Sequence, residues 1–174
     1  MAVSREDLMR FFDENNIKTQ TLDHHPMHTV SDAGDVYARV AGGHAKNLFL
    51  KDKKSNLYLL VALHDAVIDL KQIWRHMGAN GRVSFGRAEQ LQEVLGVMPG
   101  SVTPFALIND RIDSKVNVIL DSELMKYDVL NFHPLENTAT TSISREDLLK
   151  FIGLCGHQLQ VLAVSQQAID NQVD

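Results

Sequence analysis

A single cysteine, Cys155, stands in a chain of 174 residues, so no internal disulfide can form and a reducing compartment suits it. Long apolar runs are missing too. The longest, Leu57 to Leu63, suits a buried strand and falls far short of the ~20 residues that cross a bilayer. Basic charge is not in excess: the net charge of −5 excludes a broadly cationic surface that would coat nucleic acid, so DNA is not an expected partner. No Pro/Ser-rich linker or low-complexity tract divides the chain. Residues 1–174 are therefore expected as one domain with an ordered core of about 4–164 and a polar tail from Ser165 that frays. Met1 to Asn15 is charged throughout and reads as neither signal nor transit peptide, which leads to an expectation of a cytoplasmic protein without a membrane anchor. There is no Gly-x-Ser-x-Gly elbow, Walker loop or Rossmann glycine fingerprint.

What is present reads as a mixed α/β fold. Apolar residues make up 44% of the chain, enough for a real core. A helix opens at Ser4, with Asp7 completing an approximate capping box and Leu8, Phe11 and Phe12 on one face. The string Ser4-Arg5-Glu6-Asp7-Leu8 recurs at Ser144 to Leu148. The likeness fades after Phe12 and Phe151, so shared capping chemistry explains it better than duplication. Ser31 is expected to cap a second helix. Strands are expected at 46–51 and 57–63, joined by the turn 52–56. Asp69 caps a helix that Gly78 ends. A short strand follows at 82–85, then a helix at 87–95 closed by Gly96. Further strands are expected at 105–109, 116–120, 129–132 and 138–143, then a helix from Ser144 to about Cys155 and a strand at 159–164. Strands in succession without a helix between them require a mixed sheet.

Several clusters invite chemistry, and each has a plainer explanation. Lys46, Lys51, Lys53 and Lys54 lie within nine residues opposed only by Asp52, a local net charge of +3. Such a patch suits phosphate contacts or, more simply, the blunted edge of a sheet. His24-His25-Pro26-Met27-His28 is the densest histidine group, but Pro26 prevents helical presentation and no second paired motif completes a metal site. No metal or other cofactor is expected. Gly42-Gly43-His44-Ala45-Lys46 precedes a strand, where a Walker loop would follow one. The stretch Gly96 to Phe105 holds two glycines and two prolines. Its backbone amides suit an oxyanion hole, or the segment is an ordinary tight connection. His133, at the end of a strand before Pro134, could act as acid or base or merely end the strand. Cys155, late in an apolar helical pattern, reads as a small buried residue.

Four segments in this order resemble the YbaK/ProX aminoacyl-tRNA editing domains, most nearly the freestanding prolyl-tRNA editing type. They are His25-Pro26-Met27-His28-Thr29-Val30, Gly42-Gly43-His44-Ala45-Lys46-Asn47-Leu48-Phe49-Leu50-Lys51-Asp52, Gly100-Ser101-Val102-Thr103-Pro104 and Asn131-Phe132-His133-Pro134. The resemblance covers nearly the whole chain and implies a compact α/β fold with a mixed, partly closed, barrel-like sheet surrounded by helices. It implies a trans-editing hydrolase that deacylates mischarged aminoacyl-tRNA, with Ala-tRNA(Pro) the first substrate to try. By the same resemblance Lys46, Gly100 and His133 are the catalytic candidates. Asn47, Lys51, Ser101, Thr103 and Pro104 bind substrate, and Val30, Val102 and Phe105 are offered as walls of the aminoacyl pocket. The acceptor end of tRNA is the implied partner, with prolyl-tRNA synthetase a candidate second one. An aminoacyl ester is already activated, so water positioning and oxyanion stabilisation suffice without metal or triad. Two alternatives stay open: deacylation of Cys- or Ser-tRNA, and a catalytically silent tRNA- or protein-binding module.

Overall fold

The computed structural model describes residues 1–27 and 30–172, the side chain of Val30 excepted. The first helix, α1 (Arg5–Glu14), begins with the capping box: the Ser4 hydroxyl accepts from the Asp7 amide at 3.1 Å while the Asp7 carboxylate accepts from Ser4. The repeated string does the same work at α5 (Arg145–Leu154), where the Asp147 amide donates to the Ser144 hydroxyl at 3.0 Å. The expected common cause is thus found at both places.

Eight strands build one mixed sheet. They are β1 (Thr19–Asp23), β2 (Gly43–Lys51), β3 (Leu57–Leu63), β4 (Ser84–Phe85), β5 (Val116–Asp121), β6 (Val129–Phe132), β7 (Ala139–Ser144) and β8 (Leu159–Leu162). The order is β1-β7-β6-β2-β3-β5-β8, with the short β4 paired to the end of β2. Strand β2 carries the mixture: antiparallel to β3 and β4, parallel to β6. The expected mixed sheet is present, and its path runs from β1 to β8 without closing.

Alternation along β2 sends its residues into two cores. Phe49 joins the larger one, with Leu8, Phe12, Phe105, Phe132 and Phe151, while Leu48 and Leu50 face the smaller one with Ile73 and Met77. Phe105 is the centre of the larger core, with ring centroids at 5.1 Å from Phe12, 5.6 Å from Phe132 and 5.5 Å from Phe151, all edge-on. Each such pair adds about 0.5–1.5 kcal/mol beyond area burial.

Several expectations shift. The segment 105–109 is a 3₁₀ turn, Pro104–Asp110, not a strand. Pro104 sits in its first turn and the Thr103 hydroxyl accepts from the Phe105 amide. A short apolar run buried on all sides carries no periodicity that separates the two. Helix α2 (Val30–Arg39) starts before Ser31, and α3 is only Trp74–Met77. Gly78 and Gly96 end α3 and α4 (Ala88–Leu95) at φ of 70° and 66°, as their positions suggest. Strand β1 was not anticipated. Nor was α6 (Gln166–Asn171) in the tail expected to fray: buried Asp121 accepts from the Val164 and Ser165 amides and the Ser165 hydroxyl, which in turn caps α6.

Candidate active site

Two adjoining spaces meet at Asn47 on β2. The first is a chamber of about 40 Å³ bounded by Asn47, His44, Asn131, His133, Thr140 and Tyr37 together with the apolar Met27, Ala45 and Phe132. The second is a mostly apolar cleft of about 330 Å³ between Asn47 and Phe49 of β2, Phe85 and Gly86, and the Pro99–Val102 segment. Larger grooves of about 710 and 650 Å³ lie over the outer face of β1, β7 and β6. Hydroxyls, apolar residues and the charged Asp13, Lys18, Arg39 and Asp128 line them.

Glycines open the cleft. A Cβ on Gly86 would fall 2.4 Å from the Phe49 ring, so only glycine lets β4 lie there. Gly100 has φ +93°, yet a Cβ there would meet nothing nearer than Asn137 Nδ2 at 3.8 Å. Its requirement is conformational, not spatial. The Ser101 amide is spent on the Met98 carbonyl at 3.0 Å, whereas those of Gly100 and Val102 have no intramolecular acceptor among the described residues. Phe85 is 56% exposed and offers a bare ring at the rim.

Hydrogen bonds fix which chamber atoms donate and which accept. His133 Nδ1–H donates to the Ala139 carbonyl at 3.0 Å, leaving Nε2 as an acceptor in the neutral ring. Burial pushes the His133 imidazole below its ordinary value; the Ala139 bond opposes this, and His24, with its ring 6.5 Å away, reinforces it. His44 Nε2–H donates to the Val40 carbonyl at 2.7 Å, and burial lowers its value as well. The Tyr37 ring lies against His44 at 4.5 Å and His64 at 4.4 Å. Asn131 holds the chamber floor, donating to the carbonyls of Ala41 and Gly43 and accepting from the Ser142 hydroxyl at 2.5 Å. Asn47 Oδ1 is buried and has no hydrogen-bond partner among the described residues.

The expected site residues separate accordingly. Asn47, Gly100, Val102 and His133 border the two spaces. Lys46 does not join them there. It neighbours Asn47 on a strand and so points to the opposite side, where its ammonium donates to the Ala66 carbonyl. Lys51 shares the Asn47 side but sits four residues on, opposite Leu57 and Ser84, outside the chamber and the cleft. Phe105 is not a pocket wall, because it fills the aromatic core; Thr103 and Pro104 are buried with it. Ser101 borders neither space. Val30 begins α2, and its side chain, like His28 and Thr29, lies outside the described residues. Sequence reasoning missed Tyr37, His44, Thr140, Phe85 and Gly86 as site residues. Of these only His44 lay in a segment already singled out. Among the described residues no three of His, Cys, Asp and Glu converge as metal ligands.

With this geometry in view, comparison with known proteins is decisive. The sequence profile of the aminoacyl-tRNA editing domain matches residues 24–151. The chain belongs to that family. The editing domain is 37% identical over 150 residues to the prolyl-tRNA synthetase associated domain-containing protein 1 of Bos taurus, across 84% of this chain and 86% of that one. It is 31% identical over 160 residues to the prolyl-tRNA editing protein ProX of Acetoanaerobium sticklandii, across 91% and 96%. Its fold matches a crystal structure described as a candidate trans-editing enzyme for prolyl tRNA synthetase, with TM-score 0.66 and 18% identity over 94% and 99% of the two chains. The resemblance stated from the motifs is therefore confirmed at the level of family and fold.

Proposed function

We propose that this editing domain hydrolyses the ester of mischarged aminoacyl-tRNA, with Ala-tRNA(Pro) as its substrate. The observation that carries the reading is the junction at Asn47. There a chamber too small for more than a few heavy atoms meets a larger cleft bordered by two unspent loop amides. The aminoacyl head occupies the chamber, and the terminal adenosine lies in the cleft, where the exposed Phe85 ring suits stacking. The Gly100 and Val102 amides receive the developing oxyanion. His133 Nε2, an acceptor at neutral pH, orients the attacking water. A tight chamber accommodates a methyl side chain and rejects a pyrrolidine ring, the discrimination a synthetase site built for proline cannot make. Cytoplasmic location and association with prolyl-tRNA synthetase belong to the same proposal.

The engagement of Lys46 with Ala66 favours a second reading, a module that binds tRNA without hydrolysing it. Incubation with a panel of tRNAs carrying Ala, Cys, Ser and Pro separates these. Release of alanine supports the proposal, release of cysteine or serine instead moves the substrate, and release of none supports the binding module. Lys46→Ala measures whether that side chain leaves Ala66 to take part: near wild-type turnover removes it from the mechanism.

A further inference from the structure

Lys46 lies behind the chamber, not in it. Opposite Ala62 in the β2–β3 ladder, it sends its ammonium to the Ala66 carbonyl, just past the end of β3. That carbonyl belongs to a tight turn, Leu63 to Ala66, closed by the Ala66 amide donating to the Leu63 carbonyl at 2.9 Å. The His64 amide donates to the His44 carbonyl at 2.8 Å and so carries the ladder one step into the turn. On the outer flank, Gln167 of α6 accepts from the Val67 amide at 3.1 Å and donates to the Asp65 carbonyl at 3.3 Å, both on exposed surface. Lys46 is the partly buried, inner tie of the same turn. The turn also faces the site. The ring of His64, an exposed residue, lies 4.4 Å from the Tyr37 ring, and Tyr37 lies 4.5 Å from His44. The two imidazoles stand 6.5 Å apart and nearly perpendicular, so Tyr37 occupies the corner between them. Tyr37 and His44 both border the chamber.

We propose that Lys46 is a positioning residue: from the far side of β2 it fixes the Leu63–Ala66 turn, and through His64 it keeps the Tyr37 ring in place at the chamber, without contacting the tRNA. Strand alternation already turns its side chain away from the Asn47 side. To reach a phosphate the ammonium would have to leave the carbonyl of Ala66, a residue only 6% exposed, and strand that acceptor. It would also release the turn that braces Tyr37, at the moment the site is needed. The inference rests on the deacylase reading and gives Lys46 a part in it that requires no movement.

Two substrates separate positioning from phosphate contact: Ala-tRNA(Pro), and 3′-O-alanyl adenosine, which carries no phosphate, each corrected for its rate in buffer. Lys46→Met keeps most of the stem and removes the donor. The proposal expects kcat/KM to fall about tenfold on both esters, the scale of one hydrogen bond from a charged group. The fall should lie in kcat, with KM for the tRNA ester within twofold of wild type. A fall confined to the tRNA ester, or a rise in its KM alone, overturns the inference in favour of a phosphate contact; wild-type rates on both esters overturn it as well. His64→Ala alters only an exposed residue and keeps the test open if Lys46→Met does not fold: it should lower both rates alike, and wild-type rates refute the chain of contacts. In the double variant the loss should exceed the larger single loss by no more than about twofold, whereas losses that multiply contradict the shared route. Hydrolysis of neither ester by the wild-type chain overturns the deacylase reading together with the inference.

Discussion

Removing the Asp52 carboxylate should loosen the end of the sheet that carries the lysine patch. Asp52 is 5% exposed and accepts six hydrogen bonds. Two come from the Lys54 and Asn56 amides, which shape the β2–β3 turn, and one from the Tyr58 hydroxyl within β3. The Asn80 amide and side chain and the Asn56 side chain supply the others, tying the Gly78–Arg82 link to the hairpin. Burial pushes the carboxyl up, yet the donors from Asn56 and Asn80 overcome it and hold the group below the usual carboxylate range. In Asp52→Ala the Lys54, Asn56 and Asn80 amides can find water, whereas the Tyr58 hydroxyl loses its acceptor in a buried setting. At about 1–3 kcal/mol for the stranded hydroxyl, plus about 0.5–1.5 kcal/mol for each half-buried bond exchanged for water, the loss is about 3 kcal/mol. For a chain of this size that lowers the thermal midpoint by about 6–12 °C in a circular dichroism melt at pH 7. A depressed folded-state value means the contribution is present above the unfolded carboxylate range and fades as pH falls through the folded one, so the gap between wild type and variant should shrink in acid. A midpoint within 2 °C of wild type at pH 7, or a gap that widens on acidification, refutes the reasoning.

Further outcomes follow from the site. Since burial depresses His133, its Nε2 stays an acceptor at pH 7, and deacylation should hold to below the ordinary imidazole value of 6.5 before failing in acid; His133→Ala should lose the activity, and with it any such acid limb due to His133. His24 faces the same ring at 6.5 Å and lowers its value, so the limb should move to higher pH in His24→Gln. Gly86→Ala places a Cβ 2.4 Å from the Phe49 ring, forcing it toward the cleft; KM should rise several-fold while the far-ultraviolet spectrum is kept. Burial pushes the Cys155 thiol up to about 12, so it should resist a thiol reagent in the native state and react fully in guanidinium.

Much of the fold was legible because its signals are local. Ser4 and Ser144 followed by acidic residues, and Gly78 and Gly96 after apolar runs, mark helix ends by chemistry that acts within four residues. Strand β1 escaped because Thr19–Asp23 alternates poorly and owes its existence to pairing with β7, more than a hundred residues away. Phe105 was misassigned twice, as a strand residue and as a pocket wall, for one cause: an apolar run next to a candidate loop looks the same whether it lines a pocket or plugs the core. That Lys46 and Asn47 point to opposite sides of β2 was legible in the sequence, since adjacent strand residues alternate. Phe85 and Gly86 were beyond reach, because the close approach of Gly86 to Phe49 exists only after β4 pairs with β2.

The most direct test of the central claim is single-turnover release of amino acid from Ala-tRNA(Pro) and Pro-tRNA(Pro) by the wild-type chain at neutral pH. The account predicts rapid loss of alanine with the prolyl ester spared. Binding of both tRNAs with both esters left intact would contradict it.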